Sequence, residues 1–456
     1  MRSLVVGNEL KRKYGLPTAI AMVVGVVIGS GVFFKAEAVL KATDGNMPLG
    51  IAAWAVVGVI MLICALTFSV LASKYEKLNG LVDYAEMTAG SGYAYYVGWF
   101  MAVIYNPTLT AVLAWVSARY FCVLLGWDPT GGGCMVIAGF FLVMSFGISV
   151  LSPIIAGRFQ VSTTVIKLIP LFLMALVGTA AGLVSGMTAA NFTHVLSAGM
   201  PAGHGLFTSV VAVAFAYEGW IIATSINAEL KDARRSLPRA LVIGSAIVVF
   251  IYIFYYIGLA GAVPSDKLME SGQAGAKLAF TNIFGAVGGS LLFVFVIISC
   301  LGTLNGLMMG NVRGMYALAA RGRGPKPEIF RQVDRVTNIP TNSAVVGLLL
   351  AGFWLLYFYG ANLTAPAWFG PFCFDTSELP IITLYTGYIP IFVMFMVKEG
   401  STGAFKRFLM PSLSIAGCVF MAVAACLSHG MVVVYYLIIF LAIMGLGAVF
   451  TRKGEV

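Results

Sequence analysis

Charge is what this chain has least of. Of its 456 residues, 10% are Asp, Glu, Lys or Arg, against about 25% in a soluble globular chain. The deficit excludes an ordinary soluble domain and, with 60% hydrophobic residues, puts the chain in the membrane class. Histidine is scarcer still. His194, His204 and His429 lie near segment ends and make no metal cluster. The seven cysteines, Cys64, Cys122, Cys134, Cys300, Cys373, Cys418 and Cys426, contain no CxxC pair and no Cys/His ligand spacing. They read as small apolar packing residues, not as a disulfide framework or a zinc site. No metal site and no cofactor are expected. The apolar segments also lack the convergent acids, histidines and nucleophile–base pairs of a membrane-embedded enzyme. A cleavable leader is not expected, because the first apolar segment is too long and lacks a cleavage-like end.

What the chain has is long apolar runs. Twelve stretches qualify as spanning helices: 16–40, 51–73, 88–125, 134–156, 161–184, 203–228, 240–263, 278–312, 339–361, 377–397, 408–427 and 431–451. Each has at least about the 20 residues that cross a bilayer as a helix. Short polar connections separate them, so residues 1–456 read as one all-α, polytopic transmembrane domain embedded in the lipid bilayer. The formal net charge of +10 is not a nucleic-acid signal, because no basic face with base-reading or aromatic residues is organised. Instead the basic residues sort by loop. One side collects Arg2, Lys11, Arg12, Lys13, Lys74, Lys77, Arg158, Lys231, Arg234, Arg235, Arg239, Arg313, Arg321, Arg323, Lys326, Arg331, Arg335, Lys398, Lys406, Arg407, Arg452 and Lys453; the opposite loops hold Lys41, Lys267 and Lys277. This asymmetry places both termini in the cytoplasm.

Two spans carry glycine-rich interruptions: Gly25-Val26-Val27-Ile28-Gly29-Ser30-Gly31 in the first and Ala214-Phe215-Ala216-Tyr217-Glu218-Gly219-Trp220 in the sixth. Glycine weakens a helix. A break at mid-span frees backbone groups that are tolerated only against protein or a polar cavity. Paired breaks in corresponding places of two halves point to a transporter's substrate site. Spans 1–5 (about 15–184) and 6–10 (about 203–397) lay over each other as inverted repeats, with two further helices at about 408–451. At the first break, the N–H groups of Ser30 and Gly31 at the start of an outer half-helix suit a carboxylate. The carbonyls of Val26 and Val27 at the end of the inner half suit an ammonium. Both ends together fit an α-amino acid zwitterion. Gly25-x-x-x-Gly29 is equally a helix-packing motif, and both readings stay open at this level.

In the second break Phe215 is placed to cover a substrate, and the carbonyls near Phe215 and Glu218 to complete an ammonium cage. Tyr217 and Trp220 read as packing residues. Glu218 at mid-membrane costs roughly 2.5–3.5 kcal/mol on insertion scales, and such acids mark pathways or proton relays. A structural carboxylate bonded to freed backbone groups is the other reading. Lys167 lies inside span 5, about six residues from its cytoplasmic end. It either snorkels or sets a fixed ammonium beside the site in place of sodium.

These features resemble the amino acid–polyamine–organocation (APC) superfamily, and within it the L-type amino acid transporter group. The resemblance covers nearly the whole chain. It rests on the two broken stretches, on Glu229-Leu230-Lys231-Asp232 running to Leu237-Pro238-Arg239-Ala240, and on Leu304-Asn305-Gly306 running to Arg313, Tyr316, Ala317 and Arg321-Gly322. Pro107 with Ala111, Ala114 and Tyr120 in span 3 adds to it. The resemblance implies the five-plus-five inverted-repeat (LeuT/APC-like) fold, with helices 1 and 6 discontinuous. Helices 1, 2, 6 and 7 would move against 3, 4, 8 and 9. It implies a substrate site at Val27, Ile28, Gly29, Ser30, Gly31, Phe215, Ala216, Glu218 and Gly219, with gating and coupling at Phe215, Lys167, Tyr252 and Glu218. Lys167 would stand where sodium sits in sodium-coupled relatives, and Tyr252 would be its partner at the break.

Two departures matter. L-type members usually carry Gly where this chain has Glu218, and Tyr256 replaces an asparagine common in helix 7. The expected function is sodium-independent secondary transport of small to medium neutral L-amino acids by alternating access at the cell membrane, as exchanger or proton symporter. Two alternatives stand beside it: a cationic amino acid or polyamine carrier using Glu218, and a sensor that binds without carrying. Cys134 lies inside an apolar start, so no heavy-chain partner is expected.

Overall fold

A computed structural model describes residues 11–29, 31–75, 80–193, 202–271 and 275–451. It is built from helices. Among the described residues the β-pairing consists of one isolated bridge, Tyr14 to Leu230. Twelve helical segments are long and apolar enough to cross a membrane: Leu16–Phe33, Met47–Lys74, Ser91–Leu125, Gly132–Leu151, Pro153–Ser185, Gly205–Glu229, Ala233–Ala262, Gly275–Ala319, Thr341–Asn362, Leu379–Lys398, Phe405–His429 and Met431–Thr451. They are numbered here as spans 1 to 12.

Boundaries follow local chemistry. Span 2 starts where the Asn46 side chain accepts from the Leu49 amide, with Pro48 in the first turn; proline suits that position because its missing N–H would be unpaired anyway. The junction of spans 4 and 5 differs from the expected 134–156 and 161–184. Ser152 leaves the helical region and caps a new helix by accepting from Ile155, and Pro153 opens it. The apolar stretch therefore turns the corner five residues before hydropathy suggests. Hydropathy also misses a separate helix, Gly80–Ala89, between spans 2 and 3. Span 8 is longer than expected and kinks at Gly285, where φ is 74°.

Spans 1 and 6 are both discontinuous. Span 1 is an α-helix over Leu16–Val27, leaves it at Ile28 (ψ 88°), and resumes over Gly31–Ala42. Span 6 is an α-helix over Ala202–Ala216. It turns through Gly219, whose φ of 104° is readily adopted only by glycine, and continues over Trp220–Glu229 as a tighter 3₁₀ helix. These two spans are the most enclosed, with 76% and 83% of their apolar windows buried, against 11% for span 12. The backbone groups released at the breaks thus face protein instead of hydrocarbon, which is the condition for leaving a helix inside a membrane. Around them stands an aromatic core. Trp54 of span 2 meets Tyr217 and Tyr252 edge-on, and Phe68 does the same with Tyr388 of span 10.

Candidate functional site

The two breaks interlock through their glycines. A Cβ on Gly31 would lie 2.7 Å from the Ala216 Cα, and one on Gly219 would lie 2.5 Å from Val26 Cγ1. Each break therefore uses a missing side chain to admit the other. Beside them is a cavity of about 340 Å³, lined by Val26, Val27, Gly29 and Gly31 of span 1, Phe215, Glu218 and Gly219 of span 6, Leu109 and Leu113 of span 3, and Thr303 and Leu307 of span 8.

Of the residues expected here, Val27, Gly29, Gly31, Phe215, Glu218 and Gly219 border this cavity. Ile28 and Ala216 stand behind it: Ile28 is fully buried, and Ala216 is the surface that Gly31 rests on. Ser30 lies outside the described residues. Sequence reasoning missed Leu109, Leu113, Thr303 and Leu307. Both pairs are four apart and share a helix face, but apolar residues also occupy the other faces of those spans. Ser299 and Thr303, two hydroxyls four apart in an otherwise apolar run, were the available signal.

Lys167 does not snorkel. Its side chain is fully buried, and its ammonium donates to the carbonyls of Gly25 (2.6 Å), Ile28 (2.6 Å) and Ser299 (3.1 Å), with Thr303 Oγ1 at 3.2 Å. Gly25 and Ile28 lie on either side of the point where span 1 loses its helix, so one cation satisfies orphan carbonyls from both. The approach of span 5 depends on Gly25, since a Cβ there would collide with the Thr164 and Gln160 side chains. Ser299 Oγ adds bonds to the Ile28 and Gly29 carbonyls at 3.2 and 3.1 Å. Tyr252 braces the same break from span 7, donating to the Val27 carbonyl at 2.9 Å. That carbonyl also accepts from the Gly29 amide at 2.8 Å.

Glu218 is buried at the second break. One carboxylate oxygen accepts from the Tyr105 hydroxyl and the Gly219 amide lies beside the carboxylate; the other oxygen is buried and makes no well-formed hydrogen bond among the described residues. Tyr105 ends a widened turn, Met101–Tyr105, in span 3. Pro107, two residues on, has no N–H for the Val103 carbonyl, and the Trp354 indole of span 9 donates to that carbonyl at 2.8 Å. Tyr217 and Trp220 are fully buried packing residues; the Trp220 indole is 3.3 Å from the Tyr385 hydroxyl.

Ion pairs close the chain above and below. At the end of the bundle that holds Lys35, the Lys35 ammonium is 2.6 Å from Glu378 and 5.2 Å from the centre of the Phe215 ring. His429 of span 11 lies 3.0 Å from the other Glu378 oxygen. Burial pushes the Glu378 carboxyl up, but Lys35 and His429 outweigh it and hold it at about 2. At the opposite end, Glu229 pairs with Arg313 of span 8 and, at 2.6 Å, with Lys13. Burial pushes Lys13 down while Glu229 pulls it up. Arg321 pairs with Asp83 of the helix between spans 2 and 3.

Residues 14–449 match the model of a family described as amino acid permease. The serine/threonine exchanger SteT of Bacillus subtilis (strain 168) is 30% identical over 421 residues, covering 91% of each chain. The human large neutral amino acids transporter small subunit 2 is 27% identical over 339 residues, 73% of this chain and 62% of its own. The human b(0,+)-type amino acid transporter 1 is 26% identical over 340 residues, 73% of this chain and 68% of its own.

Proposed function

We propose that this chain, which belongs to the amino acid permease family, is a sodium-independent exchanger of small neutral L-amino acids that works by alternating access. Amino acid transport is the function class of that family. Substrate, coupling and site residues are the proposal, as is the division into repeats at about 15–184 and 203–397 followed by two accessory helices.

The observation that carries it is Lys167. A sodium ion at the first break would need the oxygens that Lys167 already uses: two carbonyls at 2.6 Å, a third at 3.1 Å and a hydroxyl at 3.2 Å. A positive charge is built into the hinge, so none need be borrowed from solution. The substrate carboxylate is assigned to the amides at the start of the outer half-helix, at Ser30 and Gly31, where helix dipole and unpaired N–H groups favour an anion. The ammonium is assigned to the opposite edge, bordered by Val27, Phe215 and Glu218. The Val27 carbonyl already has two donors, so Glu218 carries the larger share. Phe215, under Lys35, is the lid. Small side chains are favoured because Leu109, Leu113 and Leu307 crowd the cavity opposite the two breaks. Exchange is favoured by the similarity to a serine/threonine exchanger. Cys134 is buried, which fits a chain working without a thiol-linked partner.

The experiment is counterflow in proteoliposomes with sodium-free buffer and a labelled panel of amino acids. Accumulation of small neutral substrates, dependent on amino acid inside, is the expected result. Uptake that needs sodium overturns the coupling, and binding without counterflow makes the protein a sensor.

Glu218 supports a second reading. Its unpartnered oxygen is the one spare anionic acceptor among the cavity-lining residues described, and it suits a cationic side chain or an amine. Competition by lysine or arginine, lost in Glu218→Gln while neutral exchange survives, distinguishes it.

A further inference from the structure

The turn between spans 8 and 9 takes no part in the cavity above, yet it has an unusual build. Its sequence is Arg321-Gly322-Arg323-Gly324-Pro325-Lys326-Pro327. Every second residue from 322 is left-handed: Gly322 at φ 70°, Gly324 at 85° and Lys326 at 42°. Lysine in that region is uncommon, and outliers of this kind are retained where something holds or uses them. The turn borders an open cleft of about 1670 Å³. Arg321, Arg323 and Lys326 of the turn line it together with Met315, Val346 and Phe450 from spans 8, 9 and 12.

The cations are not equivalent. Arg321 is taken up by Asp83 and Glu86. Among the described residues Arg323 donates to a neutral partner, Ser91 Oγ at 3.3 Å, and Lys326 is exposed. Neither has a carboxylate partner among the described residues. Glu328 shares the rim, but from Arg321 to Arg335 five cations face two carboxylates. The apolar part of the lining continues onto membrane-facing surface, since Leu349 of span 9 and Leu446 and Val449 of span 12 are 67%, 60% and 63% exposed. Span 12 is pinned alongside by Tyr95 and Trp99 of span 3, which donate to the Gly447 and Ile443 carbonyls at 2.7 and 3.0 Å.

We propose that this cleft binds an anionic phospholipid, its phosphate on Arg323 and Lys326 and the upper part of an acyl chain on Val346 and Phe450. A cationic rim above an apolar wall that runs into the lipid-facing surface suits this occupant, and basic pockets on the cytoplasmic side of helix bundles commonly hold such headgroups. A free phosphate would leave the apolar wall unused. A zwitterionic lipid would leave two cations with less to meet. Because Arg321 in the same turn closes onto Asp83 and Glu86, the bound lipid also steadies the turn that shuts this end of the transporter.

The test is native mass spectrometry of the purified full-length protein, titrated with phosphatidylglycerol or phosphatidylcholine of matched chains. Compared with wild type are the double variants Arg323→Gln/Lys326→Gln and Arg323→Lys/Lys326→Arg, and Lys398→Gln as a distant exposed control. Phosphatidylglycerol is expected to be retained over phosphatidylcholine. The glutamine pair should lose it by roughly 30-fold, since each basic residue near an anionic headgroup contributes about fivefold, while the charge-keeping pair and the control retain it. Equal retention of the two lipids, or undiminished phosphatidylglycerol on the glutamine pair, overturns the proposal. So does displacement of the lipid by inorganic phosphate or glycerol phosphate, which would make the site one for small anions.

Discussion

Replacing Lys167 by Met keeps the length of the side chain and deletes the charge, and it tests the reading of the hinge directly. The ammonium makes two short bonds, to the carbonyls of Gly25 and Ile28, and longer ones to Ser299 and Thr303. Deleting it does not strip those carbonyls. Thr303 Oγ1 already lies 3.1 Å from both, and Ser299 Oγ lies 3.2 Å from the Ile28 carbonyl. Each hydroxyl has one proton, so together they can serve each carbonyl once. The variant also no longer buries an unpaired cation, which offsets part of the loss. Folding is therefore expected to survive. Transport is a different matter. A hydrogen bond to a charged group is worth about 1.5–3 kcal/mol. If even one of these bonds exists in only one state of the cycle, its loss shifts the balance of states roughly 10- to 150-fold. Counterflow by equal amounts of reconstituted Lys167→Met should fall at least about tenfold. Wild-type counterflow without sodium, set against a Lys167→Met variant that exchanges as fast, would refute the idea that this ammonium braces the hinge.

Three further outcomes follow from the same geometry. Gly219→Ala adds backbone strain of about 1–2 kcal/mol at φ 104° and overpacking of about 1–3 kcal/mol against Val26. Thermal unfolding in detergent should show it well below Gly186→Ala, which shares a positive φ but meets nothing within 4 Å. Tyr252→Phe removes one neutral bond from a carbonyl that keeps the Gly29 amide, about 0.5–1.5 kcal/mol. Exchange should therefore drop less than in Lys167→Met, and an equal or larger drop would mean that Tyr252 does more than brace. Glu378, held at about 2 by Lys35 and His429, contributes stability that is fully present above the ordinary carboxylate range near 4.5 and is lost as pH falls from there towards about 2. A melting profile against pH should lose its acid limb over that window in Glu378→Gln.

How far the chain could be read before its structure was known depends on where contrast survives in a uniformly apolar sequence. The twelve spans were legible because hydrophobic length is set by bilayer thickness. Both breaks were legible because glycine beside Ser30 or Glu218 is anomalous there. The turn at Ser152-Pro153 was legible in principle as a cap followed by proline, but lay hidden inside a continuous hydropathy run. The helix faces were not legible. Leu109, Leu113 and Leu307 look like every other leucine until the spans are packed, because in a membrane both lipid and protein interior accept the same side chains. Polar atoms are the exception, since each must find a partner. Lys167 could not stay near an interface once Gly25, Ile28 and Ser299 presented it with carbonyls, and Glu218 could not be buried without Tyr105. The other Glu218 oxygen has no partner among the described residues, beside a cavity bordered by two broken helices, and that is why the proposed site assigns the substrate's ammonium to the acid that departs from the L-type pattern. Gly31 and Gly219 hold the two breaks together, since a Cβ on either would collide with the other span.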